Sequence, residues 1–477
     1  MTEINLKTIG QAALVDDPPF RIFWTPYDPL DLASGSLDPL GFTRGYLALA
    51  DHFLPDLTTV STVPRYVSML CAAVVKAEEC FPSSSLTSTK TKEMRLRAIK
   101  SYERAWAIAC GLASQELAIG AKAVSGLRGV TYVNRRLESL SSRVQYLQTS
   151  SFNLLSNQVR YGGLGIYSSL IESCHLATMT ALSSRPIGRK LAEAFPGPAS
   201  SLAIHDEESK LLLSDLKEWG LRAHIAAFTR GEGRVLAHAL QGGEEAEYRD
   251  HVRATALKLL AQVLPDGEFD EGVVLSQVLR TCRSRTAREA EGAKGCIDQI
   301  RTALSIEDPF ERFYQSTLYL FDGMRAAASD EGEATFTSVS RHQSMEEAFA
   351  TCKATGEELL TTISAAAVTD AKATAVMSET LTKSGICALA EQVAHTPNIV
   401  GVLQAIIDRH QSVQNGKFDG GLPKAPWLRS TGSEAFHLTV QRHQLPPSGR
   451  VKHWSKIGRH SYRTPAAFEF IRACRIS

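Results

Sequence analysis

Side chains able to bind phosphate and to stack on bases are concentrated at the C-terminal end of the chain. From residue 409 to residue 477 there are twelve Lys and Arg residues against three acidic ones. Cationic groups neutralise phosphates, and exposed aromatic rings stack on bases. The segment therefore predicts contact with DNA or RNA. Its densest run is KHWSKIGRHSYR, in which the candidate residues are Lys452, Lys456, Arg459, Arg463 and Trp454.

The charge of the same segment also fits docking on the rest of the protein. Without its twelve basic and three acidic residues, the 52 basic and 51 acidic residues of the chain become 40 against 48. A small basic unit would then dock on an acidic body, with its aromatic residues as core. The charge pattern alone leaves both interpretations open.

Residues 151–195 form a second candidate for nucleic-acid contact. They contain three short amphipathic stretches separated by a glycine turn and a linker, which is the pattern of a helix-turn-helix or winged-helix unit. Three packed helices with ordinary surface arginines explain the pattern equally well. The residues that would face phosphates are Arg160, Arg185, Arg189 and Lys190.

Linear motifs for catalysis are weak throughout. Cys174 and His175 are adjacent, so on a helix their side chains diverge by about 100° and cannot act as nucleophile and base. The glycines at 162, 163 and 165 lack the preceding strand and further glycine of a dinucleotide-binding fingerprint. No HExxH, GxSxG or GxxxxGK[ST] motif occurs. We therefore expect no cofactor. An active site dispersed in the sequence, as in a nuclease or other hydrolase, stays open.

The nine cysteines predict neither a metal site nor a disulfide framework. None forms a CxxC pair, the number is odd, and most lie in apolar helical stretches. Buried reduced thiols are the expected state, which favours the cytoplasm. The start of the chain does not read as a signal peptide, and no apolar stretch is long enough to predict a membrane span.

Hydrophobic periodicity predicts a mostly α fold, with a multi-helical body and a small basic C-terminal segment for which α+β structure is open. Helices are expected over 64–81, 94–120, 203–264, 285–327 and 343–412. Strands are expected only near 129–133 and within 409–477. Breaks in the pattern divide the chain into an N-terminal domain (1–198) with a proline-rich arm, a helical domain (199–408) and the basic segment (409–477).

One stretch resembles a known group of proteins. The run LDPLGF…LADHFLPDLTTVSTVPRYVSMLCA, residues 37–72, is similar to the N-terminus of poorly characterised bacterial proteins from antiviral defence islands, with Asp56 where those proteins have glycine. NQVRYGGLGIYSSL and GKFDGGLPKAPWL look similar to later parts of the same proteins. The resemblance implies defence-associated, multi-subunit machinery and transfers no catalytic residue.

The sequence thus predicts a non-catalytic helical subunit of a bacterial antiphage defence complex. It would bind nucleic acid, other protein subunits, or both, and no membrane. The alternative is a nuclease or other hydrolase whose catalytic residues lie far apart along the chain.

Overall fold

The computed structural model describes residues 38–476, except for 84–87, 118–125, 141–143, 152, 200–201, 203, 205–208, 266, 268, 286–290, 332, 342, 370, 420–421, 433 and 440–452. The described residues form eighteen α-helices and only small antiparallel sheets, so the prediction of a mostly α fold is confirmed.

Ten helices lie in the first part of the chain: α1 (Thr43–Phe53), α2 (Pro64–Cys80), α3 (Ser88–Glu116), α4 (Val130–Glu138), α5 (Gln158–Tyr161), α6 (Gly163–Ser173), α7 (Pro186–Ala194), α8 (Leu213–Arg222), α9 (Arg230–Leu240) and α10 (Tyr248–Ala261). Eight follow: α11 (Glu271–Arg285), α12 (Glu291–Glu331), α13 (Phe336–Ser340), α14 (Gln343–Thr369), α15 (Ala371–Lys383), α16 (Ile386–His395), α17 (Ile399–Asn415) and α18 (Thr464–Cys474).

The strands are short. They are β1 (Tyr146–Gln148), β2 (Ala177–Thr178), β3 (Ser183–Ser184), β4 (Lys210–Leu212), β5 (Glu333–Thr335), β6 (Phe418–Asp419), β7 (Leu422–Pro423), β8 (Leu428–Ser430) and β9 (Ala435–Leu438). Three sheets are pairs, β1–β4, β2–β3 and β6–β7, and the fourth has the order β5–β9–β8. Strands within 409–477 were expected, whereas β1 to β5 were not.

Two long helices organise the core. The 29-residue α3 packs against α2 and α8, and the indole N–H of its buried Trp106 donates to the carbonyl of Ala223 at 2.7 Å. The 41-residue α12 packs against α14 and α1, where the ring of Phe42 contacts those of Phe310 and Phe313. Buried apolar residues form one core that runs from Leu40 to Cys474.

The strand expected at residues 129–133 is wrong, because this stretch begins α4. Gly129 lies in the left-handed region (φ +71°) immediately before the helix, a conformation that glycine adopts without steric cost. Val133 and Leu137 are buried four residues apart and would both touch a Cβ at Gly111 on α3. Helical spacing of two apolar residues thus outweighs the local β propensity of the valines.

The LDPLG run is a helix-capping turn. One carboxylate oxygen of Asp38 accepts hydrogen bonds from the N–H groups of Gly41 (2.7 Å) and Phe42 (3.0 Å), and the other accepts from Thr43 (2.7 Å). These donors have no partner within the first turn of α1, and a carboxylate also suits the helix dipole. The motif therefore fixes where the first described helix begins.

Helix α17 holds this turn in place. Arg409 donates to the carbonyl of Leu40 at 2.9 Å, and the fully buried His410 bonds the carbonyl of Pro39 through Nδ1 at 2.9 Å. The other ring nitrogen of His410 accepts from the N–H of Trp427. Burial lowers the pKa of His410 to about 4, so the ring is neutral, with its proton on Nδ1.

The two predicted domain boundaries fall at different kinds of position in the fold. The boundary after residue 198 falls beyond the end of α7, whereas the one after residue 408 falls inside α17. Beyond it, β9 pairs with β5 (Glu333↔His437), and α18 packs against α9 and α10. Residues on both sides share one core; the three-domain division stays a prediction.

All nine cysteines are free, and seven of them are buried, as expected for reduced thiols in a helical core. Among the described helices, none combines the length and apolar character needed to cross a bilayer.

Candidate nucleic-acid interface

The C-terminal arginines Arg459 and Arg463 pair with carboxylates of the body, and their contact with phosphate stays a prediction. Nη2 of Arg459 lies 2.8 Å from Oε1 of Glu307 and 3.0 Å from Oδ1 of Asp308, both on α12. Nη1 of Arg463 lies 2.5 Å from Oδ1 of Asp51 on α1 and also donates to the carbonyl of Leu54. Both guanidinium groups therefore help to attach the basic segment to the acidic body.

The buried carboxylate of Glu311 organises the same contact. It accepts hydrogen bonds from the backbone N–H of His460 (3.1 Å), from Nδ1 of that ring (2.7 Å) and from the hydroxyl of Tyr462 (2.8 Å). The His460 ring also stacks on Tyr46, with centroids 4.4 Å apart. Burial is the main reason that the pKa of Tyr462 lies well above its usual value, so its hydroxyl remains a donor.

The carboxyl group of Glu307, which pairs with Arg459, has a strongly raised pKa. Its side chain is almost fully buried, and burial raises its pKa from 4.5 to about 8, with Arg459 acting in the opposite direction. Burial likewise raises the pKa of Glu271, which begins α11. The fold thus places one carboxyl group that can hold a proton near neutral pH, that of Glu307, next to Arg459.

Of the other three predicted C-terminal residues, the structure describes the side chain of Trp454 only. Trp454 begins a 3-10 turn (Trp454–Lys456) and packs, half-buried, against the core. Lys452 lies outside the described residues, and so does the side chain of Lys456. Their contact with nucleic acid stays a prediction.

Residues 151–195 are described as α5, α6, the β2–β3 hairpin and α7. Arg185 lies 3.3 Å from Glu245, and Arg189 lies 3.3 Å from Glu78, so both make intramolecular ion pairs. Lys190 and Arg160 are exposed. A winged-helix or helix-turn-helix function for this stretch stays a prediction.

The glycine run at the start of α6 binds a carboxylate of this protein. Glu103, buried on α3, accepts the N–H of Gly163 at 2.6 Å and the side-chain amide of Gln158 at 2.8 Å. A Cβ at Gly163 would lie 2.7 Å from the ring of Tyr66, so glycine is needed for this approach. The helix N-terminus that a phosphate would use is therefore already occupied.

A different surface presents arginine and tyrosine side chains to solvent. We call it the tyrosine face and define it by Tyr132 and Arg135 on α4, Tyr146 on β1 and Arg160 on α5. The tyrosines are 37% and 57% exposed, and both arginines are exposed. The guanidinium carbon of Arg135 lies 6.0 Å from the ring centroid of Tyr132, within the range of a cation–π contact.

Helix α3 sets these elements side by side. The 104 and 111 positions of α3 lie seven residues, about two turns, apart and so share one face. Arg104 donates to the carbonyl of Thr149 and to Gln158, while Gly111 meets α4. A Cβ at Gly129 would lie 2.4 Å from the carbonyl oxygen of Leu154, so α4 also adjoins the chain that leads to α5. The elements that carry the tyrosine face thus lie next to one another along α3.

The sequence contains a signal for this surface that the C-terminal pattern obscured. Residues 117–171 include six basic residues and a single acidic one, Glu138. The ratio of basic to acidic residues is therefore six to one, against four to one in residues 409–477. The six basic residues are Lys122, Arg128, Arg135, Arg136, Arg143 and Arg160.

Comparison of the chain with protein-family models, curated proteins and solved structures finds no match in any of the three. The similarity to defence-island proteins therefore stays a prediction. Among the residues whose positions are described, no group of three His, Cys, Asp or Glu side chains is arranged to hold a metal ion.

Proposed function

We propose that the protein is a non-catalytic helical subunit of a bacterial antiphage defence complex that binds nucleic acid through the tyrosine face. The observation that carries the proposal is the exposure of Tyr132, Arg135, Tyr146 and Arg160 on elements that lie next to one another along α3. Its sequence context supplies an excess of positive charge, which favours a polyanion.

Binding would be tested by fluorescence anisotropy with labelled oligonucleotides over a range of salt concentrations. Replacing Arg135 and Arg160 together by Gln should reduce the log–log salt slope by about 1.4 to 1.8, since each neutralised phosphate contributes about 0.7 to 0.9. The matched control replaces Arg97 and Arg312, which pair with Glu93 and Glu358 on the surface, and removes the same charge.

The predicted contact of residues 409–477 with nucleic acid needs a separate experiment. Replacing Lys452 and Lys456 by Gln removes the two predicted lysine contacts, whose side chains lie outside the described residues. A reduced slope for this variant would assign phosphate contacts to the basic segment. Failure of the wild-type protein to bind any oligonucleotide at low ionic strength would overturn the proposed function.

The assignment to defence rests on the resemblance of residues 37–72. It predicts that cells expressing the protein together with its genomic neighbours resist phage infection. Substitution of both tyrosines of the tyrosine face should then remove that resistance. Unchanged plaque formation in the presence of the wild-type protein would contradict the defence role and leave the binding role standing.

A second candidate function, a hydrolase, is favoured by the cluster around Glu307. A carboxylic acid with a pKa of about 8 keeps its proton at neutral pH and can act as a general acid. Hydrolysis of a labelled oligonucleotide that is lost in Glu307→Gln, with binding retained, would support this function. A wild-type protein that binds oligonucleotides but never cleaves them, with or without added Mg²⁺, would exclude nuclease activity.

A further inference from the structure

We infer that the tyrosine face takes single-stranded nucleic acid, with unpaired bases stacked on Tyr132 and Tyr146 and phosphates paired with Arg135 and Arg160. The inference rests on the proposed function and specifies the form of nucleic acid that this surface accepts.

Exposed aromatic rings are the first reason. Among the described residues, only four aromatic side chains of Phe, Tyr or Trp type are exposed, and two of them, Tyr132 and Tyr146, lie on this face. A ring that stays in water does not gain the favourable free energy of burial that the aromatic residues of the core gain. A ring face open to solvent can stack on any base, because every base has a π-face.

The position of the arginines is the second reason. Arg135 lies over the ring of Tyr132, and Arg160 lies over that of Tyr161, with the guanidinium carbon 5.4 Å from the ring centroid. Each cation is thus held beside an aromatic ring. A backbone phosphate bound there keeps the neighbouring base close to the ring, and the cation–π contact adds to the stacking.

Base stacking disfavours a duplex. A duplex hides the faces of its bases, so the two tyrosines would find nothing to stack on. Unpaired bases leave those faces free for Tyr132 and Tyr146.

The test uses the full chain and three labelled probes: an oligothymidylate and an oligouridylate of about 16 nucleotides, the upper site size for one stacking platform, and a duplex of equal length. We expect tighter binding to either single strand than to the duplex. Comparison of the two single strands shows whether DNA or RNA is preferred. Equal or tighter binding of the duplex would overturn the inference.

The variants separate stacking from charge. Tyr132→Ala and Tyr146→Ala should each weaken single-strand binding about 10-fold, whereas Tyr132→Phe and Tyr146→Phe, which keep the ring, should bind as the wild type does. Tyr248→Ala on α10 is the matched control, since Tyr248 is similarly exposed (54%) on another helix. Far-UV circular dichroism of each variant confirms that the fold is retained.

The outcomes distinguish this inference from the function on which it depends. If binding survives both alanine substitutions but is lost in the Lys452/Lys456 variant, the protein binds nucleic acid elsewhere and the inference fails. If the wild-type protein binds none of the probes, the proposed function itself fails.

Discussion

The Glu307–Arg459 contact combines an ion pair with a carboxyl group whose pKa is about 8. Burial penalises the charged carboxylate, and the guanidinium offsets only part of that penalty. The folded protein therefore binds a proton at Glu307 over a pH range in which the unfolded chain has released it. This one group makes the free energy of unfolding fall as the pH rises from about 4.5 towards 8.

Glu307→Gln is expected to remove that dependence. Because the amide does not titrate, the stability of the variant relative to the wild type should increase with pH between about 4.5 and 8. Urea denaturation at a series of pH values measures the difference. A constant difference across this range would mean that Arg459 keeps Glu307 ionised in the folded protein.

Asp56 illustrates a competition between backbone strain and charge. Its φ of +70° lies in the left-handed region, where the resemblance to defence-island proteins expects glycine. Its carboxylate, however, bonds Arg249 and the fully buried Arg253, both at 2.9 Å. The charge contact explains why an aspartate can occupy this left-handed position.

Asp56→Gly tests which effect is larger. Relief of the left-handed conformation should gain about 1 kcal/mol. Removing a carboxylate partner of a buried guanidinium costs about 3 kcal/mol, although Asp250 still contacts Arg253. We expect the variant to be less stable by about 2 kcal/mol, measured by urea denaturation. A more stable variant would show that strain outweighs the ion pair.

At the scale of elements, local periodicity determined what could be predicted. Long amphipathic helices such as α3 and α12 were predictable, because their apolar residues recur at helical spacing over many turns. The nine-residue α4 was mistaken for a strand, because Val130 and Val133 favour β structure and only the contact with α3 selects the helix.

The candidate site was less predictable than the helices. The charge of residues 409–477 could be counted, but the partners of Arg459 and Arg463 are 152 and 412 residues away in sequence. No local pattern indicates such partners. The tyrosine face was predictable in part, since its charge imbalance is visible in the sequence, whereas the exposure of its two tyrosines depends on how α4 packs on α3 and β1 pairs with β4.

The turn into α6 yields a prediction about an element. Glu103→Ala should leave two buried donors, the N–H of Gly163 and the amide of Gln158, without their acceptor, which costs about 2 to 4 kcal/mol. Glu103→Gln, which keeps one acceptor oxygen and the side-chain volume, should cost less. Thermal denaturation compares the two. Equal stability of wild type and Glu103→Ala would contradict a structural role for this carboxylate.

At the scale of the whole molecule, the C-terminal segment completes the core of the body. Phe436 on β9 packs against Phe336 of α13, and Phe468 on α18 packs against Phe269. Glu311 on α12 would lose all three of its hydrogen-bond donors if the segment were absent. The chain should therefore unfold as one cooperative unit rather than as three.

The five tryptophans allow a direct test of this cooperativity. In protein labelled with 5-fluorotryptophan, ¹⁹F NMR resolves each tryptophan without substitution. Trp106 and Trp219 report on α3 and α8, and Trp427 and Trp454 report on the C-terminal segment. All four native resonances should disappear at the same urea concentration, because the ion pairs and the shared core connect both regions. Earlier loss of the Trp427 and Trp454 signals would instead establish residues 409–477 as a separately folding domain attached to a stable body.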